Sequence, residues 1–180
     1  VLFRSYDIVS EIKEGGIFLL NCNWDKSEVA SHLSNKVKRQ LAANHVKFYI
    51  INATKIAEEI GLGSNRTNTV LQAAFFKLAN IMPIDDAVKH MKDAIAKTYL
   101  AKGEQVISMN QAAVDRGISD LVEVEVLPEW KDLPSDPVVE DTRNIPDFIK
   151  NVVEPSNLQI GDSIPVSEFV PYADGSYPLG

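Results

Sequence analysis

The sequence holds a single cysteine, Cys22, among its 180 residues. No intrachain disulfide can form, and one thiolate cannot by itself hold an iron–sulfur cluster or a thiolate zinc site. A cytoplasmic setting is the expectation that follows. No run of roughly 18 apolar residues occurs, so no stretch of this sequence reads as a membrane-spanning helix. The first residues lack a basic region followed by an apolar one, and no secretory leader is expected in them. Basic charge is also short, with 18 Lys and Arg against 25 Asp and Glu. Net charge −7 disfavours a general nucleic-acid binder, because phosphate contacts need clustered cations. The one basic cluster, Lys36, Lys38 and Arg39, reads as a solvated helix face. Walker A, His-Glu-x-x-His and Gly-x-Ser-x-Gly signatures are absent. The three histidines, His32, His45 and His90, are far apart in the chain and read as ordinary surface or partly buried residues.

Proline is scarce in one part and frequent in the other. Only Pro83 precedes residue 127, whereas Pro128, Pro134, Pro137, Pro146, Pro155, Pro165, Pro171 and Pro178 follow it. Proline fixes φ and removes a backbone donor, so the last third cannot be long helix or central sheet. Residues 6–127 are therefore expected to form a compact α/β part, and 128–180 an extended connector with one short helix. The chain starts without Met and stops at Pro178-Leu179-Gly180, which leads us to expect a piece of a longer protein. Val1 to Ser5 read like translated sequencing-adapter DNA and are expected to be foreign to the natural chain.

Apolar content of 45% is enough for an ordinary globular core. Ile8 and Ile12 stand at helical spacing in a helix expected over 6–14, stopped by Gly15-Gly16. Residues 17–22 and 46–51 are short apolar runs that predict buried strands. Between them Asp25 and Glu28 have capping-box spacing, and Val29, Leu33, Val37 and Leu41 form an i, i+4 stripe that predicts a helix of some four turns. Strand, helix, strand is a βαβ unit, which favours a parallel sheet. A short helix is expected over 54–60. Thr69 to Ile81 is nearly all apolar and predicts a helix buried in this domain or against a neighbour. Pro83, with Asp85 and Asp86 behind it, heads another helix lined by Val88, Met91, Ile95 and Tyr99. A last helix is expected over 104–116 and a closing strand over 121–126.

Two features rise above this background. Gly61-Leu62-Gly63-Ser64-Asn65-Arg66-Thr67-Asn68 leads into the apolar helix. Glycines let a backbone approach a ligand, a helix start offers unpaired N–H groups, and Arg66 adds a forked donor, which together would suit a phosphate or pyrophosphate. The plain alternative is a glycine-containing loop with Asn68 as N-cap. The second feature is Asn110, in the middle of the stripe Val106, Ile107, Ala113, Val114. A buried amide must find partners or cost about 1–3 kcal/mol. It either meets a ligand or bonds a neighbouring loop and organises structure.

The same residues carry a resemblance. Gly15-Gly16-Ile17-Phe18-Leu19-Leu20-Asn21-Cys22-Asn23-Trp24 is similar to a segment of the γ-type domain in single-chain pyruvate:ferredoxin (flavodoxin) oxidoreductases. So are Val46-Lys47-Phe48-Tyr49-Ile50-Ile51-Asn52-Ala53, Gln72-Ala73-Ala74-Phe75-Phe76-Lys77-Leu78-Ala79 and Met109-Asn110-Gln111-Ala112-Ala113-Val114-Asp115. Phe148 to Pro155 and Gly161 to Phe169 resemble the family's connector, and the likeness runs in order through nearly all of residues 6–180. It implies the C-terminal half of a Rossmann-like α/β domain followed by a proline-rich connector. The whole enzyme would oxidise pyruvate with coenzyme A to acetyl-CoA and carbon dioxide. Thiamine diphosphate with Mg, and 4Fe-4S clusters, would be held by other domains of the polypeptide. Electrons would pass to ferredoxin or flavodoxin, and the enzyme would be a homodimer. The resemblance implies that this segment alone is inactive and helps to bind coenzyme A, through Asn68 of an Arg-x-Asn motif and Asn110 of a Met-Asn motif. The family loop commonly reads Gly-Leu-Gly-x-Arg-x-Asn. Here both Ser64 and Asn65 stand before Arg66. Two rivals accompany this reading: an enzyme for another 2-oxo acid, and a purely architectural module that touches no ligand.

Overall fold

A computed structural model of the chain describes residues 9–137 and 144–178. The expectation for Val1 to Ser5, and most of that for a helix over 6–14, lies outside the described residues. Residues 9–14 themselves hold only bends and turns.

Residues 12–134 form one compact unit. Strand β1 (Ile17–Asn21) leads through two short helices, α1 (Val29–His32) and α2 (Asn35–Ala43), to β2 (Lys47–Ile51). The two strands pair parallel, Ile17 opposite Lys47 and Asn21 opposite Ile51, as the βαβ reading requires. Helices α3 (Ala53–Glu59), α4 (Asn68–Ala79), α5 (Ile84–Tyr99) and α6 (Glu104–Ser119) follow. The chain then returns as β3 (Val122–Val124), antiparallel to β2, in a sheet of order β1-β2-β3. The result is a mixed α/β arrangement in keeping with part of a Rossmann-like domain.

The four-turn helix expected from Val29 to Leu41 is broken. Leu33 is extended, with ψ 139°, and Ser34 starts a new helix by accepting a bond from the Val37 N–H at 3.2 Å. All four stripe residues are buried nonetheless, Leu33 at 5% exposure. The stripe therefore records a shared core face rather than one continuous rod. Ahead of it the capping box is present: Asp25 Oδ1 accepts from the Glu28 N–H at 3.0 Å, and Glu28 Oε1 accepts from the Asp25 N–H at 3.2 Å.

The basic cluster on α2 is not simply a solvated face. Arg39 Nη1 donates to the carbonyls of Leu133 and Pro134 at 3.0 and 2.6 Å. The Lys38 ammonium sits 5.9 Å from the centre of the Trp130 ring. Trp130, buried on the 3-10 turn Pro128–Asp132, is thereby tied to α2.

The described residues after 134 belong to a second compact unit. The single short helix expected there is instead a longer helical stretch, a π turn over Ile149–Val153 running into α7 (Glu154–Asn157), followed by 3-10 segments at Gly161–Ser163 and Val166–Tyr172. Pro155 falls inside this continuous stretch, where it offers no N–H to the preceding turn, and the π turn immediately before it is where the helix departs from α geometry. Phe148 packs against Phe169, Tyr172 and Tyr177 with ring centres 6.3, 4.7 and 4.9 Å away. No helix among the described residues is long and apolar enough to cross a membrane.

Candidate functional site

Asn68 stands where α3 gives way to α4. The end of α3 is closed by Gly61, Leu62 and Gly63, whose N–H groups donate to the carbonyls of Glu58, Ala57 and Ala57 at 3.0, 2.9 and 3.2 Å. Gly61 and Gly63 have φ of 82° and 88°, a left-handed backbone that costs a residue with a Cβ about 1–2 kcal/mol. Leu62 between them is buried and anchors the loop in the core with Ile56, Ala57, Val70 and Ala113. Arg66, exposed, closes the loop by donating its N–H to Gly63 at 3.0 Å. The cap position of α4 is Thr67 rather than Asn68, and its side chain makes no capping bond. Asn68 is the first helical residue and is exposed. The N-cap role open to Asn68 in the sequence is therefore not the one it plays.

Asn110 lies on α6 in the buried stripe Asn110, Ala113, Val114, Gly117. It is 5% exposed, the single buried polar residue among those described. Its Nδ2 donates to the Val106 carbonyl one turn back, at 2.8 Å, and not to a neighbouring loop. Nothing among the described residues pairs with its Oδ1. No fully buried side-chain polar atom there lacks a partner, so that oxygen keeps contact with solvent. An amide edge left open on an apolar stripe can still accept a hydrogen bond.

The elements that carry the two amides pack on each other. Val70 and Ala74 of α4 share one apolar cluster with Ala113 of α6, and Ala73 shares a second with Val114. A Cβ placed on Gly117 would stand 2.4 Å from the Val70 carbonyl oxygen. Met109, next to Asn110, lies 3.8 Å from where a Cβ on Gly61 would be. Helix α6 thus touches the loop before Asn68 and the turn after it.

The sequence reading did not single out a cleft of about 400 Å³ lined by Asn21, Cys22, Asn23, Asn52, Thr54, Lys55 and Glu58. It sits at the carboxyl ends of β1 and β2, the usual ligand side of a parallel α/β sheet. An asparagine beside the end of each strand was the available signal. Both Oδ1 atoms are already engaged, Asn21 by the Ala53 N–H at 3.0 Å and Asn52 by the Lys55 N–H at 2.9 Å. Burial pushes the Cys22 thiol above its ordinary pKa, which leaves it a poor nucleophile. Among the described residues no group of three or more His, Cys, Asp or Glu side chains stands together to hold a metal ion.

A family model described as pyruvate ferredoxin/flavodoxin oxidoreductase matches residues 2–119. The chain belongs to this oxidoreductase family. The pyruvate:ferredoxin oxidoreductase of Moorella thermoacetica is 46% identical over 175 residues, 97% of this chain. The pyruvate-flavodoxin oxidoreductase of Enterobacter agglomerans is 45% identical over 177 residues, and the pyruvate dehydrogenase (NADP+) of Cryptosporidium parvum 37% identical over 203. This family segment spans 15% of the length of the first two relatives and 10% of the third. A second model, described as a domain of unknown function, matches residues 135–180.

Proposed function

We propose that the chain is part of an enzyme that oxidises pyruvate with coenzyme A to acetyl-CoA and carbon dioxide, and that Asn68 and Asn110 help to bind the coenzyme A. Residues 6–127 would be the C-terminal part of a γ-type domain and 128–180 the connector to the next one. The observation that carries the reading is Asn110, whose Oδ1 has no partner among the described residues and stands on an otherwise apolar stripe. Asn68 supports it with an exposed carboxamide at the start of α4. A carboxamide offers donors and an acceptor together, matching the amide-rich pantetheine arm and the nucleotide of coenzyme A. Binding energy gathered away from the thiol can serve acetyl transfer by fixing where the thiol lies.

Thiamine diphosphate, when bound, supplies the carbanion chemistry. With one cysteine and no grouped metal donors among the described residues, this chain does not fit as the holder of the clusters or of Mg. Those groups, the docking of ferredoxin or flavodoxin and the contacts of a homodimer are assigned to the rest of the polypeptide. The test is to replace each asparagine by Ala in the full-length enzyme. Losing one hydrogen bond of about 1–2 kcal/mol should raise the half-saturating coenzyme A concentration roughly 5- to 30-fold, with that of pyruvate unchanged. An unaltered coenzyme A dependence in both variants would overturn the reading.

An architectural role has its own support in α4 and the bend that follows it, where large apolar side chains stay uncovered. Phe75 is 56% exposed, Ile81 63% and Met82 37%, the kind of patch that marks a protein interface. Backbone hydrogen exchange separates the two readings. Coenzyme A should slow exchange around Asn68 and Asn110 if they bind it, and leave it untouched if the segment is only a scaffold.

A further inference from the structure

Gly117 sits inside α6, where glycine costs about 1 kcal/mol relative to Ala. Its φ is not positive, so the backbone itself would accept a side chain. What forbids one is α4. A Cβ there would stand 2.4 Å from the Val70 carbonyl oxygen and 2.9 Å from Ala73 Cβ. A carbonyl oxygen cannot rotate out of the way as a long side chain can, so one helix would have to move off the other. Helices approach this closely only when one of them presents a bare backbone.

The position of that contact gives it a function. Val70 follows Asn68 by two residues. Gly117 follows Asn110 at the i+7 position of the same buried stripe, so the two lie on one face of a stiff rod. Displacing α6 at Gly117 therefore shifts Asn110 relative to Asn68. We propose that Gly117 is a positioning residue, holding α6 against α4 at the separation that lets both carboxamides meet one coenzyme A. This inference rests on the coenzyme A reading above and adds the device that sets the geometry.

The experiment uses the full-length enzyme with Gly117→Ala, beside Asn68→Ala and Asn110→Ala. A displaced positioning group can cost up to about 100-fold, and Gly117→Ala should raise KM for coenzyme A by about 5-fold or more. The KM for pyruvate, and kcat at saturating coenzyme A, should stay near the parent values, a split that general loosening of the fold would not produce. Ala73→Ser places a smaller wedge at the same contact and decides the matter if Gly117→Ala does not accumulate as folded enzyme. It should give a lesser rise in the same KM. Parental coenzyme A dependence in the folded Gly117 variant overturns the positioning role. So does a parallel loss for both substrates together with a lower melting temperature. If the asparagine variants raise KM for coenzyme A while the Gly117 variant does not, the helix-spacing inference alone fails. If neither asparagine variant changes it, the coenzyme A reading falls and takes this inference with it.

Discussion

The guanidinium of Arg39 reaches the carbonyl oxygen of Pro134, 2.6 Å away and 95 positions along the chain. With the bond to Leu133 at 3.0 Å, it clasps the last segment of the compact unit to α2. Arg39→Ala should cost about 1–2 kcal/mol, the usual range for partly exposed bonds from a charged donor. Exchange of the Trp130 and Leu133 amides, which close the local turn, should speed up more than that of β2. Arg39→Lys should recover only part of the loss, because Lys lacks the forked donor.

Asn110→Ala should separate stability from function. The side-chain bond to Val106 goes back to a carbonyl in its own helix, an arrangement that contributes little and tends to bend helices. Ala is the better helix former by about 0.5 kcal/mol. The melting temperature should stay level or rise while affinity for coenzyme A drops. A clear fall in melting temperature would assign Asn110 to structure instead.

Much of this fold can be read from the residues. Strands β1 and β2 and helices α5 and α6 fall close to where their periodicity puts them, because each has one face turned to a core. The break at Leu33 and Ser34 is hidden by a stripe that continues through it. Leu33 stays buried while its backbone is extended, and only the Ser34 cap betrays the new start. The clasp made by Arg39 depends on a carbonyl far down the chain, which no local pattern reveals. Helix α6 was expected over 104–116 and runs on to Ser119, with Gly117 buried inside it against α4. The prominence of Asn110 was legible as an amide among apolar residues. That its partner would be Val106, in its own helix, was not.

Ser34→Ala should lower stability by about 1 kcal/mol, the usual cost of losing an N-cap. Ser34→Asp should keep most of it, since a carboxylate also accepts from the Val37 N–H and suits the positive end of α2. Thermal melting of the two variants side by side checks both directions.

Cys22 gives an alkaline signature. Burial raises its thiol pKa most, a backbone hydrogen bond with Trp24 acts in the opposite direction, and the nearby Glu28 carboxylate adds a smaller upward push. A raised folded pKa means that the folded state holds this proton more tightly than the unfolded one. The contribution to stability is complete below the ordinary thiol pKa and is lost as pH climbs through the raised one. Alkylation by iodoacetamide should follow the same curve, lagging a free cysteine on the pH axis. Cys22→Ser should flatten the alkaline limb of the stability profile.

Strand β1 pairs with β2 on one side and, among the described residues, with nothing on the other. A row of amide donors and acceptors along its free margin awaits a mate. Excised at these limits, the segment would be sensitive to its own concentration, two copies zipping margin to margin in strong solutions and parting on dilution. Size measured at a single dilution would then describe the sample more than the molecule.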